Sequence, residues 1–566
     1  MLLIAISWVY ILFTTTNLGI GFDKILNLKN KDFVTTSILG LFFVTILASI
    51  WAIFGRINIE FHIFLGILNI FCLLKFRNEI HSLYQSFLAN LKQLKNSSKI
   101  FLSIISVLIL AQCASIPFVI DNESYYIQTI KWLNEYGFVK GLANLHLFLG
   151  QNSGWHITQS VFSFSFLYKN FNDLSGFCLL LGNIFAIQKL NEFYQNQNSN
   201  YFIIGLFPLF NLFFFQFISA PSPDISVYIF SFVLFFYFLE NYKKTTPEIF
   251  NLLVILVIFL FYIKNTTIVF TLFPIILFAI HFKTLSGANL VKPIFLSIIV
   301  FTLFIVKNMI ICGSPIFPSK IFNSVTDYAL PDSIQVFYYN ELKSYGYFVT
   351  TEQYNSLSAG DLFLQWIKLP KLNGLFNKIS IILIVIVPPL IYKFKNEKAL
   401  WSLYFIMVIQ LFLLLVTSPQ YRFFMNFVLF FSLFVLVCMV KNQKIIKLLL
   451  ALSIIPVIIA LFFPINISKL SNHKSLMEIS NFSFENFIFP FKNSKSDTAF
   501  KNVQIGNLNY NSPVKNDFFW ANGDGNLPCV DKNQIDYFEK YFHIIPQMRT
   551  NDLKDGFYSK KLLKNE

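Results

Sequence analysis

Charge is scarce in this chain. Asp, Glu, Lys and Arg make up 13% of its 566 residues, about half the ~25% share usual in a water-soluble domain. A soluble globular fold of this length is thereby excluded. Cysteine is scarce as well. The six cysteines are Cys72, Cys113, Cys178, Cys312, Cys438 and Cys529. No C-x-x-C spacing occurs among them, which excludes a cysteine zinc site or a redox dithiol. Most lie inside apolar runs and read as small buried hydrophobes. Cys312 and Cys529 could share an oxidising compartment and pair, or could stay free. The chain has no Walker loop and no dinucleotide-binding glycine pattern. An ATP-driven or nicotinamide-dependent enzyme is therefore disfavoured. Strand-type alternation is missing too, which argues against a β-barrel. No internal repeat, coiled coil or low-complexity tract interrupts the sequence.

Apolar residues, by contrast, are abundant. They form 55% of the chain, including 72 Phe, and the mean hydropathy is +0.60. Runs of ~17–22 apolar residues match the thickness of a bilayer core and give about fourteen expected transmembrane helices. The early runs are Leu2–Ile20, Phe33–Phe54, Ile59–Leu74 and Ile100–Ile120. The middle runs are Leu174–Leu190, Tyr201–Ser219, Ile225–Leu239, Ile249–Tyr262, Thr266–Phe282 and Pro293–Ile311. The last are Ile379–Ile391, Ala399–Val416, Phe423–Met439 and Ile445–Phe463. The first run has no basic leader and no small-residue cleavage site, so it is expected to be a retained helix.

The net charge of +15 does not point to nucleic acid. Lysines crowd into short loops between apolar runs, where they set membrane orientation. Lys75, Arg77, Lys92, Lys95 and Lys99 mark one loop as cytoplasmic. Counting outward from it also places Lys24, Lys29, Lys31, Lys243, Lys244, Lys283, Lys393, Lys395, Lys398, Lys441 and Lys444 inside. Both termini then lie outside, in a bacterial-type inner (plasma) membrane. The count closes only if His156–Tyr168 does not span. As a helix it is about 20 Å long, too short for a ~30 Å core, so it is expected to lie in the outer interface. Two long outer loops are expected at 121–173 and 312–378. The polar stretch from Asn466 carries turn signals at Ser512-Pro513 and Asn522-Gly523-Asp524-Gly525 and reads as a small α+β tail. The chain thus divides into N-terminal helices 1–99, a core 100–465 and a tail 466–566.

Few residues are suited to chemistry. Asp121 and Glu123 stand together where the fourth apolar run emerges. A carboxylate beside an apolar surface can serve as a general base; more plainly, Asp121 caps the following helix. Tyr125, Tyr126, Ile130 and Leu133 follow as a segment able to lie on lipid. His156 could contact substrate or be a hydrogen-bonded structural histidine, and Trp155 has a ready role as an interface anchor. Asp224, in Ser222-Pro223-Asp224, falls on the same side as Asp121 by the charge count, as a second acid or as a cap. Lys264, Lys307 and Arg422 stand near the outer ends of spans. Cations there oppose the positive-inside bias and are costly without an anionic partner. They suit phosphate, Arg as a planar fork and Lys as a point charge; the plainer reading is snorkelling to lipid headgroups. Gly313-Ser314-Pro315-Ile316-Phe317-Pro318 needs no more than a turn to explain it.

The acidic pair, the aromatic segment after it, and a Gly-x-His-led helix followed by Phe171-Asn172-Asp173 together resemble the GT-C superfamily of polytopic glycosyltransferases. The protein O-mannosyltransferase and aminoarabinose transferase branches are closest in layout. The turn at Asp224 and the Gly-x-Pro-x-x-Pro piece fit the same plan, and the resemblance covers roughly Ile100 to Tyr421. The chain is also similar to a group of uncharacterised bacterial GT-C-like membrane proteins with a polar C-terminal tail. It departs from the common layout by placing three spans before the one leading to the acidic loop, and by splitting the acids with Asn122.

The resemblance implies an all-α polytopic membrane protein of GT-C type with a small α+β tail. It implies inverting sugar transfer from a polyprenyl-phosphate-linked donor to a glycan, lipid or protein acceptor at the outer face. Asp121 matches the family's base, with Glu123 as its partner. His156, Asp224, Lys264, Lys307 and Arg422 would bind substrate. No organic cofactor is implied, and a divalent ion, Mg or Mn, is compatible with the acids. The rival expectations are a transporter or flippase, a polymerase or ligase for lipid-linked glycans, and a receptor or assembly protein with the tail as its binding module. A flippase calls for charges near mid-membrane and paired broken helices.

Overall fold

The computed structural model describes residues 1–168, 172–287, 290–319, 322, 325–393, 397–469, 481–516 and 518–562. Phe171 and Lys395 lie outside these. Among the described residues, eleven helices are long and apolar enough to cross a membrane. Three shorter apolar helices join them: Ile59–Lys75, Pro247–Ile263 and Asn265–Ile280. Every expected apolar run falls on one of these helices, and the architecture is that of a multi-pass membrane protein.

The helices pack by close backbone approach. Helix α1 (Leu2–Leu26) runs against α2 (Phe33–Phe54). Gly40 leaves no room there for a side chain, because a Cβ would stand 1.7 Å from the Thr15 carbonyl oxygen. Small residues at helix contacts substitute for the hydrophobic drive that lipid removes. Helix α3 (Ile59–Lys75) ends at Phe76, and α4 (Arg77–Gln93) leaves it at 87°. Helix α4 therefore lies across the end of the bundle. It buries Ile80 and Leu83, stacks Phe87 on Phe33 at 3.9 Å, and is tied down by a 2.9 Å Lys24–Glu79 pair.

Four sequence expectations need correction. Helix α5 (Asn96–Cys113) stops short of Ile120; Pro117 disfavours helical backbone at the residue before it. The segment after His156 is helical only over Gly154–Val161, and all eight of those residues are buried. It is a plug inside the protein, not a helix in the interface. Its polar side meets polar neighbours on α2, with Thr158 and Thr45 hydroxyls 2.6 Å apart. Trp155 is fully buried against Phe230 and anchors no interface. Tyr125, Tyr126 and Leu133 are likewise buried in protein instead of lying on lipid. Of the two alternatives open for Cys312 and Cys529, the structure has the free thiols. Asp173, fully buried, fastens α1 to the next span by accepting from the Ser7 hydroxyl, while its carbonyl accepts from Trp8 Nε1.

The tail is α+β as expected. Strand β1 (Phe500–Ile505) pairs antiparallel with β2 (Leu508–Pro513), and β3 (Ile544–Met548) with β4 (Phe557–Lys561), beside a helix over Lys532–Phe542. It is no loose appendage. The Glu123 carbonyl accepts from the Asn522 and Gly523 amides at 2.8 and 2.9 Å. The Glu123 carboxylate accepts from the Ser494 hydroxyl at 2.6 Å and the Lys495 amide at 3.0 Å. Gln128 donates to the Gly523 and Gly525 carbonyls, Lys131 pairs with Asp524, and Trp520 stacks on Phe148. Gly556 meets the chain so closely that a Cβ would stand 1.9 Å from the Lys140 carbonyl oxygen. The N-terminus meets the same region, where its ammonium donates to the Asn486 carbonyl at 2.8 Å.

Burial raises the Glu123 pKa above the usual carboxylate value, against its hydrogen bonds, which lower it. The docked state then holds the proton that the undocked state has released. Docking is tightest below the ordinary glutamate pKa and weakens as pH rises through the raised value. The protection of the 494–495 and 522–523 amides against hydrogen exchange, taken relative to the intrinsic exchange rate at each pH, should accordingly be greater at pH 4 than at pH 8. Glu123→Gln should flatten that dependence, whereas Glu123→Ala should loosen the clasp by about 1–3 kcal/mol by orphaning its donors.

Candidate functional site

Four charged side chains converge at the tail-bearing end of the bundle. Asp121 precedes a π-helical turn at Asn122–Tyr126 that leads into the helix Ile127–Glu135. Its side chain caps nothing. Instead it accepts from Arg422 Nη1 at 2.5 Å. Arg422 stands in the first turn of the helix Tyr421–Met439. The same Nη1 lies 3.7 Å from Asp224 Oδ2. Asp224 is not a cap either: the Ser222 hydroxyl caps the helix Pro223–Asn241 by accepting from the Asp224 amide. The other Asp224 oxygen accepts from Lys264 Nζ. Lys264 ends the helix Pro247–Ile263. Two acids and two cations thus form one continuous chain, Asp121–Arg422–Asp224–Lys264.

Burial is deepest within this chain, not at its ends. The Asp224 side chain is 2% exposed, against 15% for Asp121, 16% for Lys264 and 24% for Arg422. Asp121, Arg422 and Lys264 are therefore the members within reach of an incoming group. Residues not singled out from sequence complete the setting. Gln420 Oε1 accepts from Arg422 Nε at 3.0 Å, and the Tyr228 hydroxyl donates to the Arg422 carbonyl at 2.6 Å. Tyr228 lies one turn beyond Asp224 on the same helix, a spacing that puts both on one face. The Phe423 ring lies 3.9 Å from Lys264 Nζ and 5.2 Å from the Arg422 guanidinium carbon, adding cation–π attraction to both. The Tyr126 hydroxyl reaches Asp121 Oδ2 at 3.4 Å.

Lys307 and His156 form a neighbouring locus. Lys307 is buried in the helix Val291–Cys312 and donates to the Asn152 carbonyl. The rings of Tyr262 and Phe304 lie 5.3 and 5.4 Å from its ammonium. Among the described residues no carboxylate pairs with it. His156 is fully buried, its ring 4.7 Å from that of Tyr126 and 5.8 Å from that of Tyr125. Neither ring nitrogen has a partner among the described residues. Burial and then the Lys307 cation push its pKa down to about 3, with Asp121 opposing. Burial thus disfavours the charged ring, and the unpartnered nitrogens set His156 apart from the hydrogen-bonded structural histidine of the plainer reading. Glu123 stands apart from both groups. Its carboxylate is spent on the tail, so its expected partnership with Asp121 gives way to a docking role.

A divalent ion would have to draw on Asp121 and Asp224, which already neutralise two cations. Among the described residues no group of three or more His, Cys, Asp or Glu side chains gathers as a metal site.

A family model for a domain of unknown function, DUF8201, matches residues 1–429. The chain belongs to this family. No curated protein matches the chain, and no solved structure does.

Removing Arg422 should leave two acids facing one lysine in an apolar setting. Arg422→Gln is expected to destabilise the protein by about 3–5 kcal/mol, the scale for breaking a buried pair. The double variant Asp121→Asn/Arg422→Gln should recover at least ~1 kcal/mol of that loss as coupling, read from thermal melting of detergent-solubilised protein.

Proposed function

We propose that this chain is an inverting glycosyltransferase of GT-C type that draws sugar from a polyprenyl-phosphate-linked donor. The observation that carries the reading is the Asp121–Arg422–Asp224–Lys264 chain, a general base and phosphate-binding cations gathered at one end of an apolar bundle. The charge pattern supports an outer location for that end. The opposite end is closed by the lysine-rich loops, with Lys24 paired to Glu79 and Lys29 to Glu248, as the positive-inside rule asks of a cytoplasmic face. The membrane is then a bacterial-type inner membrane with both termini outside.

The chemistry needs no nucleotide, because a glycosyl phosphate is already activated. Arg422 and Lys264 offer charge to the phosphate, and Lys307 and His156 extend the polar surface beside it. Phosphate binding to Arg422 draws the guanidinium from Asp121 and leaves that carboxylate free in an apolar setting, where it is a better base. Asp121 takes the acceptor hydroxyl proton. The acceptor oxygen attacks the anomeric carbon from the face opposite the phosphate. The carbon–oxygen bond to phosphate breaks, and the electron pair leaves with the polyprenyl phosphate, stabilised by the cations. Inversion follows from a single displacement. The gathering of charge at the bundle end, rather than at mid-membrane, favours this reading over a flippase.

Turnover of radiolabelled polyprenyl-phosphate sugars by purified protein tests the proposal. Asp121→Asn should lower kcat by about 10²–10⁴-fold, the usual contribution of a general base, while donor binding persists. Wild-type turnover in that variant would remove Asp121 from the mechanism. Turnover absent from the wild type across a panel of such donors and acceptors would remove the reaction.

A further inference from the structure

The elbow between α3 and α4 makes a groove at the end of the bundle opposite the ion chain. Its volume is about 720 Å³, within the range of small-molecule sites (~300–1,000 Å³). Its walls are divided by chemistry. Val9, Leu12, Phe13 and Leu73 line the part along the spans, and α4 contributes Ile80 and Tyr84 at its base with Arg77, Asn78 and His81 at the rim. The division follows from sequence. Helix α4 carries its apolar residues at Ile80, Leu83, Tyr84 and Phe87, on the side packed against the bundle. Arg77, Asn78 and His81 are left exposed on the other side. Glu79, the acid in that first turn, is held by Lys24 at 2.9 Å. Arg77 forms no ion pair among the described residues, so the polar rim keeps a free positive charge.

We infer that this groove is a binding site for one acidic phospholipid of the adjoining leaflet. Arg77 takes a headgroup phosphate oxygen, and His81, one helical turn away on the same face, takes a second. Asn78 offers its amide to the glycerol region. An acyl chain follows Val9, Leu12 and Phe13 along α1. The separation of charged rim from apolar wall selects the occupant. A free phosphate would use only the rim, and a zwitterionic lipid would bring a cation of its own beside the phosphate that Arg77 engages, leaving the rim's positive charge unneutralised. Exposed side chains such as Val9, at 69%, and Phe13, at 40%, are wetted by lipid in any case; the rim is what makes one lipid class preferred. The bent pair then has a function of its own, with α4 as an interfacial helix gripping the leaflet. This inference is independent of the sugar-transfer reading.

Native mass spectrometry of the full, delipidated chain in detergent, titrated with dioleoyl phosphatidylglycerol or dioleoyl phosphatidylcholine, tests it. The wild type should hold one phosphatidylglycerol about tenfold more tightly than phosphatidylcholine, the scale of a charge-assisted phosphate contact. Arg77→Gln/His81→Gln should abolish that preference, and Arg56→Gln, at the opposite end, should keep it. Val9→Trp fills the apolar wall without touching the rim and should weaken phosphatidylglycerol comparably. Equal binding of the two lipids by the wild type would overturn the proposal. So would retained preference in the double variant with unchanged melting, or displacement of the lipid by millimolar inorganic phosphate alone.

Discussion

A charge cannot be taken into an apolar bundle unless another meets it there. Ionised groups moved singly out of water cost several kcal/mol even after the protein relaxes. Asp121, Arg422, Asp224 and Lys264 satisfy that constraint collectively, each from a different stretch of chain. Their mutual demand fixes the tail-side ends of three helices against one another and against the turn that begins at Asn122. The surroundings follow from it. Tyr228 holds the Arg422 backbone, Gln420 aims its side chain, and Phe423 screens both cations on one side. Such an arrangement is closed at Asp224, which is almost fully buried, and partly open at its other three members.

Much of this was legible in the sequence, for reasons that also explain what was not. Runs of bilayer length are a strong signal, and every expected span fell on a helix. Ions out of place near span ends were equally visible, so Asp121, Asp224, Lys264 and Arg422 stood out before their contacts were known. The division of labour between Asp121 and Glu123 was missed, although helix geometry held the clue. Two residues apart on a helix means about 200° of rotation, which sends the side chains to opposite sides. One acid meets Arg422 and the other meets the tail. The plug Gly154–Val161 was misplaced for a subtler reason. Its pattern of Ile157 and Val161 against Thr158 and Gln159 reads the same whether the polar face meets water or the hydroxyl of Thr45. Periodicity reports that two environments exist, not what fills them.

The tail shows how far polar contacts can bind a segment that hydropathy alone would call separate. Its attachments are backbone and side-chain hydrogen bonds, one buried carboxylate, and ring contacts such as Trp520 on Phe148 and Phe337 against Phe538 and Phe542. None of these leaves a trace in local composition. The family match ends at residue 429, just past Arg422 and well before the tail. All members of the ion chain therefore lie within the matched region, and the elements that clasp Glu123 lie beyond it. The site and its outer cover are separable in that sense, though they meet through a single turn at Asn122–Tyr126.

That turn is the point on which the proposed chemistry depends most closely. A π-helical turn inserts extra backbone into a helix and commonly marks a functional position. Here it holds Asp121 on the ion chain while committing the next acid to the tail. The resting chain is electrically balanced, two carboxylates against two cations, with Lys307 as an additional positive charge nearby. In the resting site the Asp121 oxygen that faces Arg422 is already occupied by the guanidinium. An anionic donor changes that balance only by engaging the cations. Under the proposed mechanism the donor therefore creates the base it needs, and an acceptor arriving first finds Asp121 still occupied. Order of binding then follows from electrostatics alone, without any domain movement to enforce it.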